Sequence, residues 1–289
     1  MQQNKKISIL DESIKRITAQ SSNYFYGMYK DQDRNRFYSE IIEKNVKNKV
    51  VLEIGAGAGL LSCLCIKNSA KHVYALEANE KNYNFAKETI KRNGFENKIT
   101  LLNISSTEFK DEKFLEEVDV VLHELIADNI FGEAILSILF DIKKRLKKSV
   151  IFLPEALQIL VTPIEMKESI FPDQEIEGIK LADWKPLKNN FFTSHEDCLL
   201  DSTIAPLILE QFKFSEDFSL QKSYILSDEQ IKLNTQVAIC FRLSHKDLSI
   251  SNMPGVATYL GNHWKMYIAL PRDTKRLKIS YSIGDLSTN

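Results

Sequence analysis

The sequence VVLEIGAGAGLLS at residues 50–62 decides the fold. Its apolar, β-branched first half predicts a buried parallel strand, and its second half predicts the start of a helix. Three alternating glycines, Gly55, Gly57 and Gly59, lie between them, where a residue without a Cβ allows a sharp turn and a close approach of a ligand to the backbone. The first N–H groups of the helix then face the crevice at the carboxyl end of the strand, where open α/β sheets bind ligands.

The spacing of the glycines argues against a dinucleotide site. A dinucleotide fingerprint reads G-x-G-x-x-G, whereas here the third glycine comes one residue early and Leu60 follows it. Glu53 precedes the first glycine by two residues, and Glu77 ends the next predicted strand, where a carboxylate can accept hydrogen bonds from a ribose diol. This arrangement resembles the cofactor loop of class I methyltransferases, which bind S-adenosylmethionine. A glycine-rich turn without a ligand and a nicotinamide dehydrogenase are the weaker alternatives.

Composition limits the class of protein. The chain has 289 residues and a formal net charge of −1, which suits one large domain or two small ones and argues against a nucleic-acid partner. Four scattered cysteines, Cys63, Cys65, Cys198 and Cys240, form no C-x-x-C pair and predict reduced thiols rather than a metal site. No apolar run is long enough for a membrane span, and the first residues lack the apolar core of a signal peptide. We therefore expect a cytoplasmic protein without metal or membrane partner.

The chain divides into three predicted parts. Residues 1–45 are expected to form a helical lid segment, and strands and helices alternate through residues 46–153, which predicts a doubly wound, Rossmann-like sheet. Past Pro154 the pattern changes to short β runs separated by turns, so residues 154–289 are predicted to form an antiparallel β-barrel or sandwich. The predicted fold class is thus α/β followed by antiparallel β.

A pair of acids marks the predicted chemistry. Glu124 ends the fourth predicted strand and Glu133 begins the next predicted helix, so two carboxylates can converge beside the cofactor. Two such acids repel each other unless a cation lies between them, and a planar guanidinium satisfies both. Two unrelated surface acids are an equally good interpretation of the spacing alone. The absence of an Asn- or Asp-Pro-Pro-aromatic turn at the end of this strand disfavours methylation of amides or nucleobases.

These motifs resemble those of the protein arginine N-methyltransferases, and most closely the type 7 branch. The resemblance runs most strongly from Met28 to about Gln158 and includes the glycine turn and the loop with both glutamates. In the second domain, only the motif His263-Trp264-Lys265 matches sharply, at the position of the family's Thr-His-Trp loop, with Asn262 in place of the threonine.

On the cofactor side, the resemblance implies that S-adenosylmethionine binds, with S-adenosylhomocysteine as product. The implied binding residues are Arg34, Glu53, Gly55, Gly57, Glu77, Ser106 and Thr107. In this set Arg34 would pair with the methionine carboxylate, and Glu77 would hold the ribose. Ser106 and Thr107 would contact the adenine ring.

On the substrate side, the resemblance implies that Glu124 and Glu133 clamp the arginine guanidinium. His263 would pair with Asp31 across the domain interface and share the catalytic role. Trp264 would wall the arginine channel, and Met28 would flank the reacting nitrogen. The aromatic segment before Met28 leaves open which of Tyr24, Tyr26 and Tyr29 lines the site.

The predicted activity is methyl transfer to an arginine guanidino nitrogen in a protein or peptide. Free arginine or another small guanidino compound is the first alternative, and a non-catalytic regulatory partner of an arginine methyltransferase is the second. The number of methyl groups added is left open. A homodimer is also left open, because the region after Met166 is short where family members insert a dimerisation arm.

Overall fold

A parallel sheet in the order β3-β2-β1-β4-β5 forms the first half of the chain. The computed structural model describes residues 27–110, 112–126, 134–146, 149–166, 175–180, 190–193, 198–200, 204–219, 221–227, 236–253, 264, 266–269 and 276–282. The parallel strands are β1 (Val50–Ile54), β2 (His72–Leu76), β3 (Ile99–Leu102), β4 (Val120–His123) and β5 (Ile151–Leu153). Every residue of the central strands β1 and β4 is buried, as expected for parallel strands with both faces covered.

The register of the sheet brings three strand ends to one edge. In β1, Ile54 pairs with Leu76 of β2 on one side and with His123 of β4 on the other. The residues that follow these three strands therefore start from the same edge of the sheet. This edge is where the sequence predicts the cofactor and the acids.

Helices connect the strands. They are α1 (Gln32–Asn45), α2 (Leu60–Lys67), α3 (Glu80–Arg92), α4 (Glu112–Glu117) and α5 (Ile135–Arg145). The side chain of Asp31 caps α1 by accepting a hydrogen bond from Arg34 N at 2.9 Å, which satisfies one of the free N–H groups of the first turn. Among the described ranges, no helix is long and apolar enough to cross a lipid bilayer.

Antiparallel strands follow the parallel sheet. Their bounds are β6 (Ala156–Met166), β7 (Glu175–Ile176), β8 (Ile179–Lys180), β9 (Asn190–Thr193), β10 (Cys198–Leu200), β11 (Leu207–Lys213), β12 (Gln221–Ser227), β13 (Gln236–His245), β14 (Leu248–Ser251), β15 (Met266–Ala269) and β16 (Arg276–Ser282). The main sheet has the order β10-β6-β13-β15-β9, with β11 beside β6 and β14 beside β13. The change from parallel to antiparallel strands falls between Leu153 and Ala156.

The predicted fold class is confirmed, with differences at the ends of elements. The spacing of apolar residues between 131 and 148 predicts a helix, which is observed as Ile135–Arg145, and part of the predicted range lies outside the described residues. The apolar run at residues 98–104 predicts a strand, of which the structure shows Ile99–Leu102. The sequence does not predict α4, because its six residues are too few to show helical periodicity.

The antiparallel part contacts the parallel part through buried groups. Asn45 at the end of α1 donates from Nδ2 to Nε2 of His245 at 3.1 Å. Nε1 of Trp264 donates to the carbonyl oxygen of Ile126 at 2.9 Å. The second contact lies close to the crevice, because Ile126 is two residues past Glu124.

Candidate active site

The glycine turn after β1 presents backbone to the crevice. Gly55, Gly57 and Gly59 have φ angles of 74°, 56° and 82°, in the left-handed region that favours glycine. A Cβ on Gly55 would lie 3.0 Å from Cδ2 of Leu125, so a larger residue would strain the backbone at this φ and force Leu125 to shift. The segment after β4 therefore packs directly against the glycine turn.

Glu77 holds the glycine turn from the neighbouring strand. Its Oε2 accepts a hydrogen bond from Gly57 N at 2.8 Å, and its Oε1 accepts one from Asn79 N at 2.7 Å. Burial raises the pKa of Glu77, and these backbone hydrogen bonds lower it by less. Each oxygen keeps further acceptor capacity, so the carboxylate can also receive hydroxyl groups.

Glu53 is a buried acid at the end of β1. Burial raises the pKa of Glu53 to about 8, against the opposing effects of a hydrogen bond from Ser62 and the charge of Arg34. Ser62 Oγ donates to Oε2 of Glu53 in a short hydrogen bond. Because a pKa near 8 lies above neutral pH, the carboxyl group is mainly protonated at pH 7 in this state.

Arg34 and Glu124 form a buried ion pair. Nη2 of Arg34 donates to Oε2 of Glu124 at 3.0 Å, and the two side chains are 2% and 9% exposed. Nη1 donates to Oδ1 of Asn35 at 3.0 Å, and the guanidinium lies 5.0 Å from the ring centroid of Tyr38. Burial lowers the pKa of Arg34, but Glu124, Tyr38 and Tyr29 together raise it by more, so the guanidinium stays charged.

One donor of Arg34 is left over. Its Nε is buried and has no hydrogen-bond partner among the described residues. A buried, unpaired donor on a cation suits an anionic ligand such as a carboxylate. Together with the backbone approach at Gly55 and the acceptor oxygens of Glu77, this donor fits the amino-acid and ribose ends of S-adenosylmethionine.

Tyr29 is the aromatic residue that the structure brings to the glycine turn. Its hydroxyl oxygen accepts a hydrogen bond from Ala58 N at 3.1 Å, and its carbonyl oxygen accepts one from Nδ2 of Asn35 at 2.8 Å. Burial raises the pKa of Tyr29 to about 12. The other two candidates, Tyr24 and Tyr26, lie outside the described residues.

The remaining predicted cofactor residues follow β3. Ser106 is buried, and Oγ1 of Thr107 shares a hydrogen bond with Oγ of Ser105 at 2.9 Å. They lie in a turn at residues 105–109, and their contact with adenine stays a prediction. Met28 is buried in the helical turn before α1, where its carbonyl oxygen accepts a hydrogen bond from Asp31 N at 3.2 Å.

The substrate side is described in part. Glu124 follows β4 directly, whereas Glu133 and His263 lie outside the described residues. The predicted carboxylate pair and the predicted pairing of His263 with Asp31 therefore stay predictions. Trp264 is buried, and its ring packs edge-to-face on Phe241 with centroids 5.1 Å apart, while its Nε1 donates to the carbonyl oxygen of Ile126.

Two residues near the acids were not predicted. The hydroxyl of Tyr38 donates to the carbonyl oxygen of His123, the residue before Glu124, at 3.2 Å. Nε2 of His123 donates to Pro154 O at 3.2 Å, and burial lowers the pKa of His123 to about 3, so the ring is neutral. The sequence could have indicated Tyr38, because it lies four residues after Arg34 and therefore on the same face of α1.

The charge of the crevice favours a cationic ligand. Arg34 pairs with Glu124, and the charges of Arg34 and Glu77 both act on Glu53, which is mainly protonated at neutral pH. An added cation lowers the cost of keeping such carboxylates close together. In the described ranges, no group of His, Cys, Asp or Glu has an arrangement suited to a metal ion.

Comparison with protein families gives a methyltransferase match. The model described as "Ribosomal protein L11 methyltransferase (PrmA)" matches residues 38–154, which contain the parallel sheet. Among curated proteins, the probable protein arginine N-methyltransferase 1.2 of Arabidopsis thaliana is 28% identical over 267 residues, covering 85% of this chain and 70% of that protein. Protein arginine N-methyltransferase 1 of Oryza sativa subsp. indica is 35% identical over 176 residues, covering 60% of this chain but only 42% of that protein.

Solved structures share the fold. The crystal structure of PRMT6-SAH matches with a TM-score of 0.64 at 19% identity and covers 87% of this chain and 88% of that one. The Trypanosoma brucei PRMT1 enzyme-prozyme heterotetrameric complex with AdoHcy matches with a TM-score of 0.66 at 19% identity, covering 92% and 86%. The similarity thus extends through both the parallel and the antiparallel parts.

Proposed function

We propose that this chain, which resembles the protein arginine N-methyltransferases along most of its length, transfers a methyl group from S-adenosylmethionine to a guanidino nitrogen of arginine in a protein or peptide. The observation that carries the proposal is the buried ion pair between Arg34 and Glu124, which lies beside a glycine turn at the carboxyl edge of a parallel sheet. It supports the proposal because a carboxylate that already binds one guanidinium is chemically suited to hold a second.

The cofactor end of the crevice orients the donor. When bound, S-adenosylmethionine supplies an electrophilic sulfonium methyl group. Arg34 holds the methionine carboxylate through the N–H that has no partner in the described residues, and Gly55 and Gly57 let that portion approach the backbone. Glu77 accepts the ribose hydroxyl groups. Such fixed orientation supplies a large part of the rate of an in-line transfer.

The acidic end of the crevice prepares the acceptor. A guanidinium is a cation and a poor nucleophile, and it must approach another cation. Glu124 and Glu133 offset that repulsion and concentrate electron density on one nitrogen. Oε2 of Glu124 is oriented by Arg34, so its other oxygen is available to the substrate. The nitrogen loses its proton late, to one of these carboxylates or to the pair of His263 and Asp31.

The finer assignments belong to the same proposal. Residues 1–45 act as a lid, residues 46–153 bind the cofactor, and residues 154–289 form a barrel-like substrate domain in which Trp264 walls the channel. The location is cytoplasmic, which is supported by four buried thiols and no described disulfide. The relation to the type 7 branch stays a prediction, since the similar proteins named above have the family numbers 1 and 6 in their names.

A methyl-transfer assay read by mass spectrometry tests the function. The purified chain is given S-adenosylmethionine with free arginine, an arginine-rich peptide or a mixed protein lysate. We expect methylarginine in the peptide and protein samples. Glu124→Gln and Glu133→Gln should each lower kcat about a hundredfold or more, the usual cost of removing one electrostatic group from a transition state. Glu96→Gln, an exposed glutamate distant in sequence from both motifs, is the matched control.

The outcomes separate the alternatives. Methylation of free arginine alone would select the small-molecule function. Binding of S-adenosylhomocysteine without transfer to any acceptor would select the non-catalytic partner, a case that matters because the trypanosome structure contains a prozyme. Transfer at the wild-type rate by Glu124→Gln would show that Glu124 does not hold the substrate guanidinium. A chain that does not bind S-adenosylhomocysteine would not be a methyltransferase of this kind.

A further inference from the structure

The turn at residues 105–109, predicted to contact adenine, is a single helical turn. Ser105 O accepts hydrogen bonds from Glu108 N at 3.0 Å and from Phe109 N at 3.1 Å. A single turn has no later backbone N–H groups to donate to its remaining carbonyl oxygens, so these need hydrogen-bond donors from elsewhere. Ser106 and Phe109 present two such carbonyl oxygens, and both residues are buried.

Arg145 satisfies both carbonyl groups. It is the last residue of α5, and its Nη2 donates to Ser106 O at 2.7 Å while its Nη1 donates to Phe109 O. Nη2 also donates to Oδ2 of Asp141, one helical turn earlier, at 2.6 Å. The side chains of Arg145 and Asp141 are 24% and 16% exposed, so solvent screens this network only in part.

We infer that Arg145 is a positioning residue for the adenine ring of the cofactor, acting through the turn at residues 105–109. The inference rests on the proposed function, which places adenine against Ser106 and Thr107. The planar fork of a guanidinium spans two carbonyl oxygens at once, whereas an ammonium is a point charge that cannot reproduce this geometry. A turn that is held before the ligand arrives costs less to order on binding.

The inference predicts that replacing Arg145 lowers the affinity for every ligand that contains the adenine ring. Arg145→Lys should weaken the binding of S-adenosylhomocysteine and of 5′-methylthioadenosine by the same factor, about tenfold, as expected for a lost charge-assisted hydrogen bond. Arg34→Lys should weaken S-adenosylhomocysteine only, because 5′-methylthioadenosine has no amino-acid carboxylate. The comparison of two ligands across two variants therefore distinguishes the two ends of the cofactor site.

Lys143→Gln is the matched control. Lys143 lies on α5 two residues before Arg145, and its ion pair is with Asp217, which is 95% exposed. Its removal takes a cation from the same helix without touching the turn, so both affinities should stay within about twofold of wild type. Titration calorimetry measures all the affinities without requiring turnover.

Amide hydrogen exchange gives a second readout. Exchange at Glu108 and Phe109 should become faster in Arg145→Lys and stay unchanged in Lys143→Gln, even in the absence of ligand. Wild-type affinity for 5′-methylthioadenosine in Arg145→Lys would overturn the inference, as would a loss confined to S-adenosylhomocysteine. If the wild-type chain binds both ligands, Arg145→Lys weakens both equally, and no methyl transfer is observed, the proposed function is rejected and the role of Arg145 is supported. Failure of the wild-type chain to bind either ligand would overturn both.

Discussion

At the end of β1, the carboxyl group of Glu53 lies wholly inside the protein against Ser62, with the charges of Arg34 and Glu77 nearby. Its pKa of about 8 means that folding changes its state of ionisation. An unfolded chain ionises this group near its ordinary pKa of 4.5, whereas the folded chain keeps its proton until the pH approaches 8. Strongly shifted acids of this kind are concentrated at functional sites.

The stability of the ligand-free chain should therefore depend on the ionisation of Glu53 between pH 4.5 and about pH 8. Because the folded pKa is raised, the stabilising contribution is fully present below the unfolded pKa and is lost as the pH rises through about 8. Glu53→Gln keeps an acceptor for Ser62 but cannot ionise. We expect the variant to lose less thermal stability than wild type between pH 5.5 and pH 8.5, measured by the midpoint of unfolding. Parallel curves for the two proteins would contradict the shifted pKa.

At the scale of elements, the segment after β4 is held from three directions. The glycine turn meets it at Leu125, α1 meets it through Arg34 at Glu124, and Trp264 from the antiparallel part holds Ile126. None of these contacts is within the parallel sheet itself. The position of Glu124 therefore depends on elements that come before and after its own strand in the sequence.

Removal of the indole N–H donor of Trp264 should lower the rate of methyl transfer without changing the affinity for the cofactor. Trp264→Phe keeps an aromatic ring but loses the hydrogen bond to Ile126 O, a loss of about 1 kcal/mol in stability. We expect kcat to fall about ten- to a hundredfold because Glu124 shifts relative to the substrate. Binding of S-adenosylhomocysteine should be unchanged.

Phe241→Leu is the companion variant for Trp264, because it removes the edge-to-face contact and keeps the N–H donor. It should lower the midpoint of unfolding and leave kcat close to wild type. An equal fall of kcat in both variants would attribute the effect to packing rather than to the hydrogen bond.

At the scale of the whole molecule, the end of α1 and the antiparallel part meet at His245. Nε2 of His245 accepts the hydrogen bond from Asn45, and its Nδ1 lies 3.7 Å from Oε2 of Glu155. Burial lowers the pKa of His245, although Glu155 and Asp247 raise it, and Lys246 adds to the lowering. A protonated Nε2 could no longer accept from Asn45, so the contact requires the neutral ring.

Acidification should weaken this contact. Because the folded pKa of His245 is lowered, an unfolded chain takes up the proton first, and stability falls as the pH drops below the ordinary histidine pKa of 6.5. His245→Gln retains an acceptor without titrating. We expect its unfolding midpoint to change less than that of wild type between pH 7.5 and pH 5.5. Lys246→Gln, which alters the neighbouring charge but keeps the ring, should retain most of the wild-type pH dependence.

The sequence by itself determined the order of strands and helices, the turn at Gly55 and the placement of Glu77 and Glu124 at strand ends. These features follow from local patterns of apolar residues, glycines and acids, and parallel strands bring their carboxyl ends to one edge. The exact ends of helices were less well predicted, and α4 was missed, because short segments carry little periodicity.

Only the tertiary structure decided which groups pair and which are ionised. Arg34 and Glu124 are 90 residues apart, and Arg145 and Ser106 are 39 apart, so no local pattern joins them. The raised pKa of Glu53 depends on complete removal from water, which packing alone determines. Residue types and local spacing specified the candidates for the site, whereas burial and long-range contacts fixed their charges and their partners.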